Sequence, residues 1–170
     1  MSVTIEVPEL IASRAAEMGV DIEQEFLEYI LRRLNFDNTM RMKIHLELAE
    51  RFLKDGKKLI DKDPIQASEK LYKAAEEAIK ALTICFDLGD ILSNVSSRGR
   101  WTITDLEKAV RMLKKKVGSI VIEAWDHAWY LHIVGFHEAK LDSEGVRERV
   151  KSIEYLIEKM REACGIGQTP

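Results

Sequence analysis

Apolar residues recur along most of the chain at the spacing of amphipathic helices, with three or four apolar positions in every two turns. This pattern predicts four long helices, over residues 38–60, 64–86, 104–131 and 143–163. Two of them follow their predecessors after very short connections, so we expect an antiparallel up-down-up-down four-helix bundle and an all-α fold class. Residues 88–103 are rich in Ser, Asn and Gly and are predicted to form a long loop.

Polar start signals precede two of these helices. Asp63 is followed by Pro64 and, three residues after the aspartate, by Gln66. Thr104 stands in the same relation to Glu107. Such pairs satisfy the free amides of a first helical turn, so both are predicted to be capping boxes.

The predicted helix over residues 64–86 carries small residues along one side, which lets a neighbouring backbone approach closely. The alanines of this stripe are Ala67, Ala74, Ala78 and Ala81. Charged residues at other positions are predicted to face water, in favourable pairs three or four residues apart. These charged residues are Glu69, Lys73, Glu76, Glu77 and Lys80.

A small module precedes the bundle. Val3, Ile5 and Val7 alternate with polar residues, which is the periodicity of a β-strand. Pro8 suits the first turn of a following helix, and Asp21 suits the start of a second one. The expected division of the chain is a strand-helix-helix module over residues 1–37, the bundle over 38–164 and a flexible tail over 165–170.

The order of elements in residues 1–37 resembles a ribbon-helix-helix unit, which dimerises by pairing its strands and in many cases reads DNA. This segment contains three Arg and eight Asp or Glu, a net charge of −5 that repels phosphate. A lone strand still needs a partner for its backbone groups. We therefore expect the module to dimerise, or to dock its strand on its own chain, rather than to read DNA.

Composition limits the classes of protein to which this chain can belong. The chain has 170 residues, 46% of them apolar and 32% charged, and a formal net charge of −3, which suits one domain with a small appendage. Its apolar runs are too short to cross a bilayer, so we expect no membrane contact. The start MSVTIEVPEL lacks a secretory signal pattern. The distant cysteines Cys85 and Cys164 predict no disulfide, and a reducing cytoplasm is the expected location.

Residues 123–138, EAWDHAWYLHIVGFHE, hold two of the three Trp and three of the four His. A carboxylate beside an imidazole on one helical face is the minimum for a general base or an oriented ligand, and four polar side chains here share a face. The alternative is an aromatic packing interface whose polar tips are simply satisfied. The face consists of Glu123, Asp126, His127 and Tyr130, and the further binding candidates are Trp125, Trp129 and Glu138.

The three histidines of this stretch have spacings that do not fit a metal site. His127, His132 and His137 recur every five residues, which rotates each by about 140° from the last on an ideal helix. They are therefore predicted not to share a face. The zinc pattern His-Glu-x-x-His is absent because Leu141 takes the place of the second histidine. No metal and no cofactor are expected.

The predicted loop ends in Arg98-Gly99-Arg100-Trp101, just before a helix start. Two guanidinium groups and a ring near a helix N-terminus can hold a phosphate or an unpaired base, so Arg98 and Arg100 join the binding candidates. An ordinary basic surface loop is the alternative.

Two segments carry a family resemblance. DPIQASEKLYKAAEEAIKAL, residues 63–82, and LHIVGFHEAKLDSEGVRERVKSIEYLI, residues 131–157, resemble the archaeal PaREP family. That family is placed among HEPN-like four-helix bundles, the fold of nucleotidyltransferase-associated substrate-binding subunits. Many HEPN proteins are dimeric, metal-independent ribonucleases with an Arg, four to six intervening residues and a His. His137 matches the histidine of that motif, whereas His132 stands where the Arg would be.

The resemblance and the residues together predict a non-catalytic, HEPN-like homodimer. It binds a nucleotide or a protein partner through the region of Trp125, Trp129 and His137. One alternative is a metal-independent ribonuclease, in which His132 and His137 share the acid and base roles and the loop supplies Arg98 or Arg100. The other alternative is a substrate-binding or antitoxin-type partner of a nucleotidyltransferase.

Overall fold

The computed structural model describes residues 3–165, and every regular element in that range is helical. The elements are α1 (Glu9–Glu17), α2 (Ile22–Arg33), α3 (Asn38–Leu59), α4 (Pro64–Cys85), α5 (Gly89–Arg98), α6 (Ile103–Val117), α7 (Ile120–Tyr130), a π-helical segment (Leu131–His137) and α8 (Ser143–Ala163). The all-α prediction is confirmed over the described residues. The predicted flexible tail lies almost wholly outside them.

Capping side chains set several of the helix starts. Asp21, Asp37, Asp63 and Asp142 each accept a hydrogen bond from a backbone amide in the first turn of the following helix. Each satisfies an amide that has no partner inside its own helix. The predicted box at Thr104 is wrong by two residues: Thr102 caps α6 and its partner is Asp105.

Helix α4 lies at the centre of the fold, in contact with α3, α6, α7, α8 and the π segment. Its alanine stripe is completely buried, as the sequence predicted. Ion pairs show that α3 and α8 run antiparallel, because the later residue of one helix meets the earlier residue of the other. These pairs are Glu50–Arg161, Lys57–Glu154 and, just beyond α3, Asp61–Arg147.

Two predicted elements differ in the structure, and in each a helix ends at a glycine with positive φ. The helix expected over residues 104–131 is divided into α6 and α7 at Gly118, whose φ of +93° does not fit a helix. The loop expected over residues 88–103 contains α5, which ends at Gly99 with a φ of +75°. Polar side chains in α5 masked its weak apolar stripe.

The amino-terminal segment departs from the prediction as well. Residues 3–7 form no strand within the described chain, because their backbone groups find no ladder partner there. Helix α1 has no buried residue, and Leu10 and Ile11 point into solvent. Helix α2 is held more firmly, through the buried side chains of Leu31 and Glu28.

A cluster of charged side chains lies in the core, which contradicts the prediction that this face of α4 meets water. Lys80 is 0% exposed and Glu77 is 1% exposed. The Lys80 ammonium lies 2.9 Å from a Glu77 carboxylate oxygen and 2.7 Å from a Glu76 oxygen. Glu28 of α2 approaches the same ammonium at 4.0 Å, and His45 Nδ1 of α3 lies 2.6 Å from the other Glu77 oxygen.

The protonation states in this cluster follow from its charges. Burial alone would raise the pKa of Glu77, but the charges of Lys80 and His45 outweigh it and lower that pKa to about 2. The three carboxylates raise the pKa of Lys80 in spite of its burial. For Glu28, burial dominates and raises the pKa. Lys80 and Glu77 are therefore both ionised inside the core at neutral pH.

A disulfide joins Cys85 at the end of α4 to Cys164, the residue after α8, with 5.9 Å between their Cα atoms. The prediction of no disulfide is wrong. The two cysteines are 79 residues apart in sequence. They meet because α4 and α8 run parallel and end side by side, which the apolar pattern does not reveal.

We expect Lys80→Met to lower the free energy of unfolding by about 3–5 kcal/mol, because it leaves three carboxylates around a buried site with no ammonium. Urea denaturation at pH 7 measures the loss. The matched control is Lys115→Met on the exposed face of α6, which should change stability by less than about 0.5 kcal/mol. A loss below about 1 kcal/mol in Lys80→Met would show that the cluster is not a buried, mutually dependent ion network.

Candidate functional site

The π segment brings His132 and His137 together. Its hydrogen bonds join residues five apart, so residues at that spacing lie nearly above one another. The Nε2 atoms of the two histidines are 3.1 Å apart. The prediction that these two residues cannot share a face is wrong, because it assumed the rotation of an α-helix.

A glycine lets the π segment lie close against the first turns of α4. A Cβ at Gly135 would overlap the hydroxyl of Ser68, which is buried and donates to the Pro64 carbonyl at 2.7 Å. The segment is followed by Ala139 in the left-handed region, with φ +52°. That conformation costs a non-glycine residue about 1–2 kcal/mol. The close approach places His132 directly beside α4.

Glu69 of α4 extends the histidine pair into a three-membered chain. Its carboxylate lies 2.8 Å from His132 Nδ1. Since an ionised carboxylate only accepts, His132 donates from Nδ1. One proton lies between the two Nε2 atoms, and His137 Nδ1 has no partner within residues 3–165. The chain can therefore pass a proton between Glu69, His132 and a ligand bound at His137 Nδ1.

Aromatic rings fix the position of His132. Its imidazole stacks on the Tyr72 ring with centroids 4.1 Å apart, and Trp129 and Phe136 lie at 5.6 and 6.2 Å. Burial raises the pKa of Tyr72, and the charges of Glu76 and Glu69 add to the effect. Tyr72 is therefore a neutral phenol at physiological pH.

A cleft of about 820 Å³ opens beside this chain, and we call it the histidine cleft. It lies between α4, the π segment, the start of α6 and the turn between α1 and α2. Its charged and aromatic lining includes Glu69, Lys70, Tyr72, Lys73, Glu76, Arg100, Trp101, His132, Phe136 and His137. Such a volume falls in the range of small-molecule sites.

Three of the residues predicted from the sequence line this cleft: His132, His137 and Arg100. Trp129 contributes through its ring contact with His132. The two predicted arginines, Arg98 and Arg100, differ in their contacts. Arg98 pairs with Asp105, the partner of Thr102 in the capping box of α6, whereas Arg100 has no ion-pair partner within the described chain.

The face predicted to carry Glu123, Asp126, His127 and Tyr130 does not line the histidine cleft. His127 Nδ1 lies 2.8 Å from the Ser152 hydroxyl of α8, and Arg149 of α8 lies 4.3 Å from the Tyr130 ring centroid. Three of its residues, Glu123, Asp126 and Tyr130, are exposed.

The remaining two candidates serve the structure locally. Trp125 is 1% exposed and donates to Glu107 at 2.6 Å. Glu138 pairs with Lys140 in solvent. Neither residue lines the histidine cleft.

Sequence reasoning missed Glu69 and Tyr72 as site residues. Both lie on α4, three residues apart and therefore on one face. Glu69 was predicted to face water, and Tyr72 was not singled out. The signal available was a carboxylate one turn from an aromatic ring near the start of α4, and it points to a site only once the position of the π segment is known.

Metal binding was examined over the same residues. Within residues 3–165, no group of three or more His, Cys, Asp or Glu side chains is arranged to hold a metal ion. Both ring nitrogens of His132 are already engaged.

Within residues 3–165, none of the helices combines the length and the apolarity that a bilayer span requires.

Known proteins were compared with the chain. The sequence model of the archaeal PaREP1/PaREP8 family matches residues 44–157. A crystal structure of a protein from Sulfolobus solfataricus is similar at 38% identity and a TM-score of 0.57, over 72% of this chain and 94% of that one. A solution structure of the same structural-genomics target gives 35% identity and a TM-score of 0.58, over 76% and 95% of the two chains. No curated protein matches.

Proposed function

This chain belongs to the archaeal PaREP1/PaREP8 family, and we propose that it is a HEPN-like protein that binds a nucleotide in the histidine cleft and acts as a homodimer. In this proposal α3, α4, the α6–α7 pair and α8 are the four members of the bundle, and residues 1–37 form an appended module. The observation that carries the proposal is the Glu69–His132–His137 chain, which faces a cleft that Arg100 also lines.

The phosphate of the nucleotide is assigned to Arg100 and His137. A guanidinium offers paired donors that fit a phosphate, and Arg100 has no carboxylate competing for them within the described residues. His137 Nδ1 adds a donor when that ring is protonated. The neighbouring helix start, α6, favours an anion at the same end of the cleft.

The base is assigned to the aromatic part of the lining. Trp101 and Phe136 both line the cleft, and a nucleobase stacks on such rings with little dependence on its identity. The cleft is large enough for one mononucleotide.

The carboxylates around the cleft do not oppose this assignment. Glu69 is paired with His132, and Asp21 lies 2.6 Å from the Lys73 ammonium. That pairing lowers the pKa of Asp21 although burial opposes it. Glu76 is paired with Lys80 in the core. The charged lining residues left without such a partner are Lys70 and Arg100, which are positive, and Glu25, which is negative, so the remaining local charge is positive.

A ribonuclease activity is the second candidate, and the same hydrogen-bonded chain favours it. His137 can take the proton of a ribose 2′-hydroxyl as that oxygen attacks the adjacent phosphorus, and later return it to the leaving 5′-oxygen. Arg100 replaces the missing motif arginine by stabilising the charge on phosphorus. No metal is needed for these steps.

Two measurements in EDTA, one of AMP binding and one of RNA cleavage, distinguish the binding protein from the ribonuclease. We expect AMP to bind in calorimetry, with affinity reduced at least tenfold in Arg100→Gln and in His137→Ala, because each removes a charge-assisted hydrogen bond worth about 1.5–3 kcal/mol. Arg111→Gln, on α6 outside the cleft, is the matched control and should bind as the unchanged protein does.

Single-stranded RNA is incubated with the same proteins. Intact RNA together with AMP binding supports a binding protein. Cleavage that is lost in His137→Ala and Arg100→Gln supports the ribonuclease. If AMP does not bind and RNA stays intact, both functions are contradicted. Melting temperatures within about 2 °C of the unchanged protein confirm that the variants fold.

The homodimer is assigned to the amino-terminal segment. Residues 3–7 have the side-chain alternation of a strand, and their backbone groups have no partner in the described chain. Val3 and Ile5 are largely exposed, as are Leu10 and Ile11 of α1. An antiparallel pair formed with residues 3–7 of a second copy satisfies these groups and covers the apolar side chains.

We expect sedimentation to give a dimer for the unchanged protein and a monomer for Ile5→Pro, since proline removes a ladder donor and fixes φ. Ile5→Thr, which keeps a β-branched residue and the amide, is the control and should remain dimeric. A monomeric unchanged protein, or a dimeric Ile5→Pro, would overturn this assignment.

A further inference from the structure

A second, smaller cavity of about 250 Å³ lies between α2, the start of α3, the end of α4 and α5. We call it the arginine cavity. Polar groups of Arg32, Arg41 and His45 line one part of it. The apolar side chains of Leu31 and Leu92 line another. Apolar walls with a few fixed polar groups are the usual construction of a small-molecule site.

His45 presents an unpartnered nitrogen to this cavity. The side chain is 3% exposed, and its Nδ1 is held 2.6 Å from Glu77. Its Nε2 has no hydrogen-bond partner within residues 3–165. No side-chain nitrogen or oxygen in that range is both fully sealed from solvent and unpaired. The Nε2 atom therefore keeps some open surface, and the arginine cavity is an open space that the His45 ring borders.

The two guanidinium groups are positioned but not neutralised. Arg41 donates to the carbonyls of Phe36 at 3.0 Å and Leu31 at 3.3 Å, which fixes its plane at the cavity edge. Arg32 lies over Gly99, where a Cβ would overlap its guanidinium. Neither arginine has a carboxylate partner within the described residues, so both keep donors for a ligand.

The balance of charge in the cavity is positive. Glu28 is the single carboxylate among its lining residues, and it faces the buried Lys80 at 4.0 Å. Arg32 is exposed and Arg41 is half-buried, so an anion can reach both guanidinium groups from solvent and pair with donors that have no carboxylate partner. Because apolar side chains also line the cavity, an inorganic anion alone would leave them in contact with water.

We propose that the arginine cavity binds a small organic carboxylate, whose charged end contacts Arg32 and Arg41 and whose apolar body packs against Leu31 and Leu92. A carboxylate matches the planar fork of an arginine and brings one negative charge. His45 Nε2 contacts the ligand at the junction of the two parts. Trp101 lines both this cavity and the histidine cleft, but the arginine and leucine contacts proposed here belong to this cavity alone and do not depend on the function assigned to the cleft.

Calorimetry with benzoate and isovalerate, two small apolar carboxylates, tests the proposal. We expect at least one of them to bind, at least tenfold more weakly to Arg32→Gln and unchanged to Arg33→Gln. Arg33 is the neighbouring arginine at the end of α2 and does not line the cavity, so its variant controls for net charge. Benzamide and isovaleramide, which lack the charge, should bind at least tenfold more weakly than their acids.

Four results would overturn the proposal: binding of neither acid, equal affinity in Arg32→Gln, equal affinity for an amide and its acid, or inorganic phosphate binding as tightly as the carboxylates. A crystal of the complex gives an independent reading, since the carboxylate should lie within hydrogen-bond distance of Arg32 or Arg41. A carboxylate found only in the histidine cleft would also contradict the assignment.

Discussion

The fold depends on the burial of α4, and one buried side of this helix carries charged residues. Lys80 and Glu77 can lie at the centre only because each satisfies the other and because His45 and Glu28 reach them from α3 and α2. Removing one member of such a cluster leaves an uncompensated charge in a medium of low polarity. The network also fixes the register of α3 and ties the amino-terminal α2 to the body of the protein.

The same helix positions both cavities. Near its start, Glu69 and Tyr72 hold His132 by a hydrogen bond and a ring stack. In its middle, Glu77 orients His45 at the arginine cavity, and at its end Cys85 joins α8. A rigid, buried helix gives these groups fixed positions, which a ligand site on exposed loops would lack. The π segment completes the histidine cleft by pairing residues that an α-helix would separate.

Much of the architecture could be predicted from the sequence, because helix periodicity and capping residues are local signals. The helices predicted over residues 38–60, 64–86 and 143–163, the alanine stripe of α4 and the start at Asp63 agree with the structure. Contacts between residues far apart in the sequence could not be predicted from these local signals. The burial of Lys80 depends on two other helices, α2 and α3, and the disulfide depends on two helix ends meeting. The strand expected at residues 3–7 has no partner within the described residues. His137 and Arg100 were identified as candidates by motif, but their shared cleft required the π geometry and the turn at Gly99.

The hydrogen-bonded chain at the histidine cleft is the central claim, and ¹H–¹⁵N spectroscopy of the histidine side chains tests it most directly. At neutral pH, His132 should carry its proton on Nδ1, and Glu69→Gln should shift the ¹⁵N signals of His132 and, through the shared proton, those of His137. The signals of His127, which is held by Ser152, should stay unchanged. A proton found on Nε2 of His132 with Nδ1 bare, or ¹⁵N signals of His137 indifferent to Glu69→Gln, would contradict the account.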